Sequence, residues 1–193
     1  MTDLKLQITQ KSYTKLKFFD MLNPLKKTYS ASDKQLFRFL QKNLLFERLE
    51  DSELAEFVPF LHLRTYKRDE AIFFRKDPSQ AIYIVKSGEV ALNLDIEDKF
   101  EELTRVGVSQ SFGDNALLDA TYRIYNAVCT TETSEIFVLA TTNILEIFEN
   151  NVNIRAKMMT AMAENYEKQN VNLFRAYQES FGFFDLGRAF MKN

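Results

Sequence analysis

The sequence predicts a mainly β fold, a sandwich, roll or barrel with helices before and after it, and three features carry that prediction. Between residues 61 and 139 the apolar residues recur in short runs rich in β-branched and aromatic side chains, separated by turn signals. On either side of that region the apolar spacing changes to threes and fours, the period of a packed helix. Finally, 193 residues with 46% hydrophobic content and only 5 Gly and 3 Pro can bury a substantial core without metals or disulfides.

Taken in order, residues 1–31 read as an N-terminal arm. Lys5, Lys11, Lys15, Lys17, Lys26 and Lys27 outweigh Asp3 and Asp20 there, and Pro24 interrupts any helix. From Ser32, the expected N-cap, Leu36, Phe37, Phe39, Leu40 and Leu44 form a helical stripe. A second short helix should start at Asp51 or Ser52, bury Leu54, Phe57 and Val58, and end near Pro59. Strands are expected over 61–66, 71–74, 81–86, 89–95, 100–106, 126–130 and 135–139. Lys67-Arg68-Asp69, Lys76-Asp77-Pro78-Ser79 and Ser87-Gly88 punctuate them, and the last pair predicts a tight hairpin.

After Thr141 or Thr142 as N-cap, Ile144, Leu145, Ile147 and Phe148 mark a short helix. Residues 152–179 contain neither Gly nor Pro and read as one long helix. The expected organisation is therefore an arm (1–31), a β-roll with flanking helices (32–150), and a long helix with an aromatic tail (151–193). Within the long helix Met159, Met162, Tyr166, Gln169, Leu173 and Ala176 step by three and four, a short imperfect heptad seam. It predicts packing on the roll or a homodimer through this helix.

Several function classes are disfavoured by composition. A net charge of −2 gives no general attraction to nucleic acid or acidic membranes. The N-terminus lacks the apolar core of a signal peptide, and no apolar run is long enough to span a bilayer. The single cysteine, Cys129, suits a reducing compartment, so the cytoplasm is expected. No phosphate-binding loop, nucleophile elbow or metalloprotease motif is present. His62 and Cys129 read as strand residues rather than as metal ligand or nucleophile, and Met158, Met159 and Met162 as core or seam. No cofactor, metal or enzymatic activity is therefore expected. Residues 180–193 are aromatic rather than basic, so they do not read as a DNA-binding helix-turn-helix; they fit packing on the domain or a protein partner.

The strongest local signal is Ser111-Phe112-Gly113-Asp114-Asn115-Ala116-Leu117-Leu118, followed by Arg123. Gly113 permits close approach of the backbone to a ligand, and residues 115–118 read as one helical turn whose free N–H groups suit an anion. Arg123 can add a bidentate positive fork to the same anion. Asp114, acidic beside an anion site, is better matched to a sugar hydroxyl. Phosphate and ribose together are the ligand chemistry this asks for. The structural alternative is a buried Arg123 paired with Asp114 or Asp119.

This segment resembles the phosphate-binding cassette of the cyclic-nucleotide-binding domains, the family of the catabolite activator protein and the regulatory subunits of protein kinase A. Phe112, Gly113, Ala116, Leu117 and Arg123 match its pattern, with Asp114 in the place of a glutamate. Glu70-Ala71-Ile72-Phe73, Asp77-Pro78, Ile82-Tyr83-Ile84-Val85 and Ser87-Gly88-Glu89-Val90 extend the likeness over roughly residues 36–178. The resemblance implies a cupin-like, eight-stranded jelly roll with helices before it and a long helix after it. It also implies a cyclic nucleotide held by Phe112, Gly113, Asp114, Asn115, Ala116, Leu117, Arg123 and Ile124. Arg123 would pair with the phosphate, Asp114 with the ribose 2′-hydroxyl, and the N–H of Ala116 and its neighbours would complete the nest.

Ile124 lacks the hydroxyl that favours guanine in some relatives, so cyclic AMP is expected over cyclic GMP. This chain departs from the pattern at Tyr122, Ile124 and Tyr125, where proline and small residues are usual, and at Lys76, where glycine is usual. Two bulky groups after the arginine either crowd the recess or leave Tyr125 facing solvent on the alternating strand. Two functions follow: a sensor that signals through its long helix, or an interaction and dimerisation module with a silent pocket.

Overall fold

The computed structural model describes residues 28–96 and 99–181. Most of the expected N-terminal arm and nearly all of the aromatic tail lie outside these residues. Helix α1 spans Ala31–Leu40, two residues earlier than an N-cap at Ser32 implies, so Ser32 sits inside its first turn. Helix α2, Asp51–Phe57, is capped at Glu50 rather than at Asp51 or Ser52. The Glu53 carboxylate accepts the Glu50 main-chain N–H at 2.8 Å, so two acidic residues replace the usual Ser or Asp cap. Pro59 does not end the helix outright; a 3₁₀ turn, Val58–Phe60, continues it into the first strand.

The described residues form eight strands in two four-stranded antiparallel sheets. These are β1 (His62–Lys67), β2 (Ala71–Phe73), β3 (Ala81–Ser87), β4 (Val90–Ile96), β5 (Lys99–Val106), β6 (Ser111–Phe112), β7 (Asn126–Cys129) and β8 (Thr133–Ala140). One sheet runs β1-β8-β3-β6 and the other β2-β7-β4-β5. Non-consecutive neighbours in both sheets make this a jelly roll, as the fold prediction required.

The tight hairpin expected at Ser87-Gly88 does not form, because β3 and β4 belong to different sheets. The pair instead turns the chain from one layer to the other. Gly88 has φ +84, and a Cβ on it would collide with the Ser134 hydroxyl and lie 2.6 Å from Thr131 Oγ1 and 2.8 Å from Ser134 Cα. The corner packs on β8 backbone, so only glycine fits. The one strand missing from the sequence reading is β6, too short at two residues to carry a period.

Between the sheets lie Val85, Val90, Leu92, Val106, Phe112, Ala127, Cys129 and Ile136, with Phe73 and Tyr66 at the margin. Cys129 is fully buried on β7, as a structural cysteine should be. His62 opens β1 on the exposed side. Among the described residues no cluster of His, Cys, Asp or Glu suits a metal ion, and no helix is long and apolar enough to cross a membrane.

In the helical segments Phe46 meets Phe57 edge-on at 5.3 Å, and Phe37, Leu40 and Leu54 are buried. Helix α3, Thr141–Asn150, starts from Ala140 as N-cap rather than from Thr141 or Thr142, because the Thr141 N–H is spent on the Gln80 carbonyl at 2.9 Å. Helix α4, Val152–Phe181, is launched by Asn151, whose Oδ1 accepts the N–H groups of Asn153 and Ile154 at 3.2 and 3.3 Å. Ile154, Met158, Ala161 and Met162 are its buried residues. Of the expected seam only Met162 is fully buried; Met159 and Tyr166 are half-buried, and Gln169, Leu173 and Ala176 are exposed. Lys157 binds Glu53 at 2.7 Å and Arg48 binds Glu164 at 2.6 Å, tying α4 to the preceding helices.

Gly88→Ala should cost at least about 2 kcal/mol, since the left-handed φ alone costs about 1–2 kcal/mol and the Ser134 backbone cannot yield. Urea denaturation with an unchanged m-value checks this; a loss under about 0.5 kcal/mol would contradict the packed corner.

Candidate functional site

The site begins with a corner between the sheets. Strand β6 ends at Phe112, Gly113 takes φ +73, and a 3₁₀ turn follows over Asp114–Leu117. The turn is one residue ahead of the sequence expectation. Phe112, Ala116 and Leu117 are buried and anchor it to the core, while Asp114 and Asn115 are half-buried. Gly113 has a reason other than ligand approach: its φ of +73 is left-handed, and a Cβ there would stand 2.5 Å from Arg123 Nη1, so the guanidinium would have to shift.

Arg123 lies only 3% exposed, with its guanidinium turned into the fold. Nη2 donates to the Ala81 carbonyl at 2.7 Å and Nη1 to the Gly113 carbonyl at 3.0 Å. A longer contact of 3.5 Å runs from Nη1 to Asn115 Oδ1. The guanidinium carbon sits 4.2 Å from the Phe73 ring centroid and 5.4 Å from that of Tyr83. Phe73, Tyr83 and Phe112 themselves form a wall, Tyr83 stacked on Phe112 at 5.1 Å. Neither Asp114 nor Asp119 forms the ion pair that the structural alternative required among the described residues; the cation is held by carbonyl dipoles and aromatic faces. Burial lowers the pKa of Arg123, and the neighbouring Tyr83, Tyr125 and Asp114 push it back. Its Nε, fully buried, finds no acceptor among the described residues.

The N–H groups of the cassette are all spoken for within the chain. Gly113 N–H donates to the Tyr125 hydroxyl at 3.0 Å. The N–H groups of Asp114 and Asn115 turn to the Asp114 carboxylate. Ala116 N–H, expected to line a phosphate nest, donates to Gly113 O at 3.1 Å, because a 3₁₀ turn pairs each N–H with the carbonyl three residues back. Asn115 faces the exit loop, its Nδ2 donating to Tyr122 O at 2.9 Å. Of the eight sequence-predicted residues, Phe112, Gly113, Asp114, Asn115, Ala116, Leu117 and Arg123 thus come together. Ile124 does not; it is 65% exposed, and the next residue, Tyr125, packs inward against the core instead.

Two residues missed by the cassette pattern complete the site. Asn165 of α4 favours the charged form of the Asp114 carboxyl, and Tyr166 senses its charge. Burial raises the pKa of Asp114, against the pull of its hydrogen bonds and of Arg123. Burial also pushes the Tyr125 phenol up to about 12, and that of Tyr166 upward too, with Asp114 adding to both. Only the rule that bulky residues replacing small ones fill the space beside them could have flagged Tyr125. Asn165 carries no signal in sequence, since it lies about fifty residues downstream on a separate helix.

Residues 63–151 match the family model of the cyclic nucleotide-binding domain. The cAMP-dependent protein kinase type II regulatory subunit of Drosophila melanogaster is 26% identical over 160 residues, covering 75% of this chain and 41% of its own length. The cyclic AMP receptor protein of Thermus thermophilus is 31% identical over 90 residues, 46% of this chain and 42% of its own. The N-terminal domain of a transcriptional regulator from Streptomyces coelicolor superposes with a TM-score of 0.62 at 25% identity, covering 70% of this chain and 94% of that one. The chain spans between 31% and 42% of the length of the curated relatives it matches.

Because the folded protein raises the Asp114 pKa, the folded state holds that proton more tightly than the unfolded one. The contribution is fully present below the ordinary aspartate range of about 4 and is lost as pH rises through the folded value. Asp114→Asn should therefore gain stability relative to wild type as pH climbs from about 3 to 6. Parallel melting profiles for the two chains across that range would contradict a buried, desolvated carboxyl.

Proposed function

With residues 63–151 matching the family model of the cyclic nucleotide-binding domain, we propose that the chain is a non-enzymatic, cytoplasmic regulatory module that binds a cyclic nucleotide, cyclic AMP in preference to cyclic GMP, and signals through α4. The observation that carries the reading is the inward guanidinium of Arg123, buried on an aromatic wall with its Nε unsatisfied. An esterified phosphate is the group that best completes such a fork. In this reading Asp114, on the 3₁₀ turn that follows Gly113, meets a ribose hydroxyl, although its carboxyl is one methylene shorter than the family's glutamate. The preference for cyclic AMP rests on the missing hydroxyl at position 124.

Signalling through α4 draws support from Asn165, a residue of that helix that favours the charged form of the Asp114 carboxyl. A ligand hydroxyl that competes for Asp114 releases Asn165, so nucleotide occupancy and helix position share one carboxylate. A ligand shifts the helix only by binding one of its arrangements more tightly than the other. Past Tyr166 the helix exposes Val171 and Leu173, a surface for a second copy of the chain or another protein to read.

One observation favours a second reading, an interaction module with a silent pocket. The Gly113, Asp114, Asn115 and Ala116 N–H groups already have partners inside the chain, so the turn is stable without any anion. Calorimetric titration with cyclic AMP and cyclic GMP separates the two. The sensor reading expects wild type to bind in the micromolar to submillimolar range. Arg123→Lys should weaken binding by at least about thirtyfold, because a point charge lacks the fork and losing one partner of a buried charged pair costs about 2–5 kcal/mol. The absence of heat and of any melting shift with either nucleotide supports the silent module.

A further inference from the structure

The hydroxyl of Tyr125 stands where an anionic oxygen would be received, on the N–H of the left-handed residue that opens a 3₁₀ turn. Three features hold it there. Ile124 points to solvent, while Tyr125, in the bend just before β7, packs against the core. The ring leans on Phe73 at 5.8 Å, the same ring that carries the Arg123 guanidinium. Just beyond it, Asn126 is 3% exposed and pinned, accepting the Arg75 N–H at 2.7 Å and donating to Asp95. Tyrosine, guanidinium and glycine therefore meet on one wall, and the tyrosine is delivered by a fixed backbone.

Resting on the nucleotide-binding reading above, we propose that Tyr125 is an internal competitor of the ligand: its hydroxyl fills the Gly113 N–H, and an anionic ligand enters as that hydroxyl leaves. Losing one partner of a buried hydrogen bond costs more than the bond contributes, since the remaining group stays dry and unpaired. In Tyr125→Phe the Gly113 N–H is left in that state in the free chain, and an anionic oxygen of the ligand restores its partner. The substitution therefore destabilises the free protein and strengthens binding. Tyr125 also sets a selectivity threshold, because only a strong acceptor displaces it; a neutral nucleoside has none to offer.

Calorimetric titration of wild type and Tyr125→Phe with cyclic AMP and with adenosine tests the proposal, with circular dichroism confirming that both chains are folded. The expected result is binding of cyclic AMP about tenfold tighter in the variant, equal to about 1.4 kcal/mol, and no gain for adenosine. Binding by the variant where wild type is silent supports the proposal equally. Equal or weaker binding by the variant, or the same gain with adenosine, overturns the competitor role while leaving the nucleotide reading intact. No binding by either folded chain overturns both. Should the variant fail to fold, wild type carrying ¹³C-labelled tyrosine decides: the Tyr125 ring signals must move on saturation with cyclic AMP, and unmoved signals overturn the proposal.

Discussion

A single buried cation, the guanidinium of Arg123, organises the corner on which everything functional in this chain depends. Isolated charge in a protein interior is costly, and the group survives there because two carbonyl oxygens and two aromatic faces surround it. Those contacts reach three separate pieces of chain: the start of β3 through Ala81, the turn through Gly113, and β2 through Phe73. The geometry of the turn follows from the cation as much as the reverse, for Gly113 must lack a side chain to let Nη1 approach. A residue that looks from the sequence like a ligand-binding arginine is equally the keystone of the unliganded fold.

That double role connects packing to the proposed signalling. The cassette is satisfied internally, by Tyr125 at Gly113, by the Asp114 carboxylate at its own turn, and by Ala116 within the 3₁₀ ladder. An exchange of partners, rather than the filling of an open hole, is what any ligand must accomplish. The charged form of the same carboxylate is favoured by Asn165 of α4, and α4 is in turn bound to α2 by the Lys157–Glu53 pair. A change at Asp114 thus has a path to the preceding helices, provided the helix has a second arrangement to move to.

Much of this was legible in the sequence because it depends on local pattern. Strand positions followed from β-rich runs between turn residues, the long helix from a stretch without Gly or Pro, and the cassette from spacing around Phe112, Gly113 and Arg123. What escaped is tertiary. The corner at Gly88 passes for a hairpin until the sheets are assigned, since glycine serves both. Glu50 is a cap only because Glu53 folds back on it, and Asn151 caps α4 from a position with no distinctive flanks. Ile124 and Tyr125 could each have faced the recess, and only the register after Arg123 decides that the tyrosine does. The exposed half of α4 shows why a heptad-like spacing is not a packed seam: the burial follows Ile154, Met158, Ala161 and Met162 and stops there.

The side-chain protons of Arg123 test the central claim most directly. In ¹⁵N-arginine-labelled protein near neutral pH, a guanidinium clamped between Ala81 O and Gly113 O should give separate, slowly exchanging Nη–H signals, with contacts from the Phe73 and Tyr83 rings. A single averaged signal exchanging like that of an exposed arginine would contradict the account.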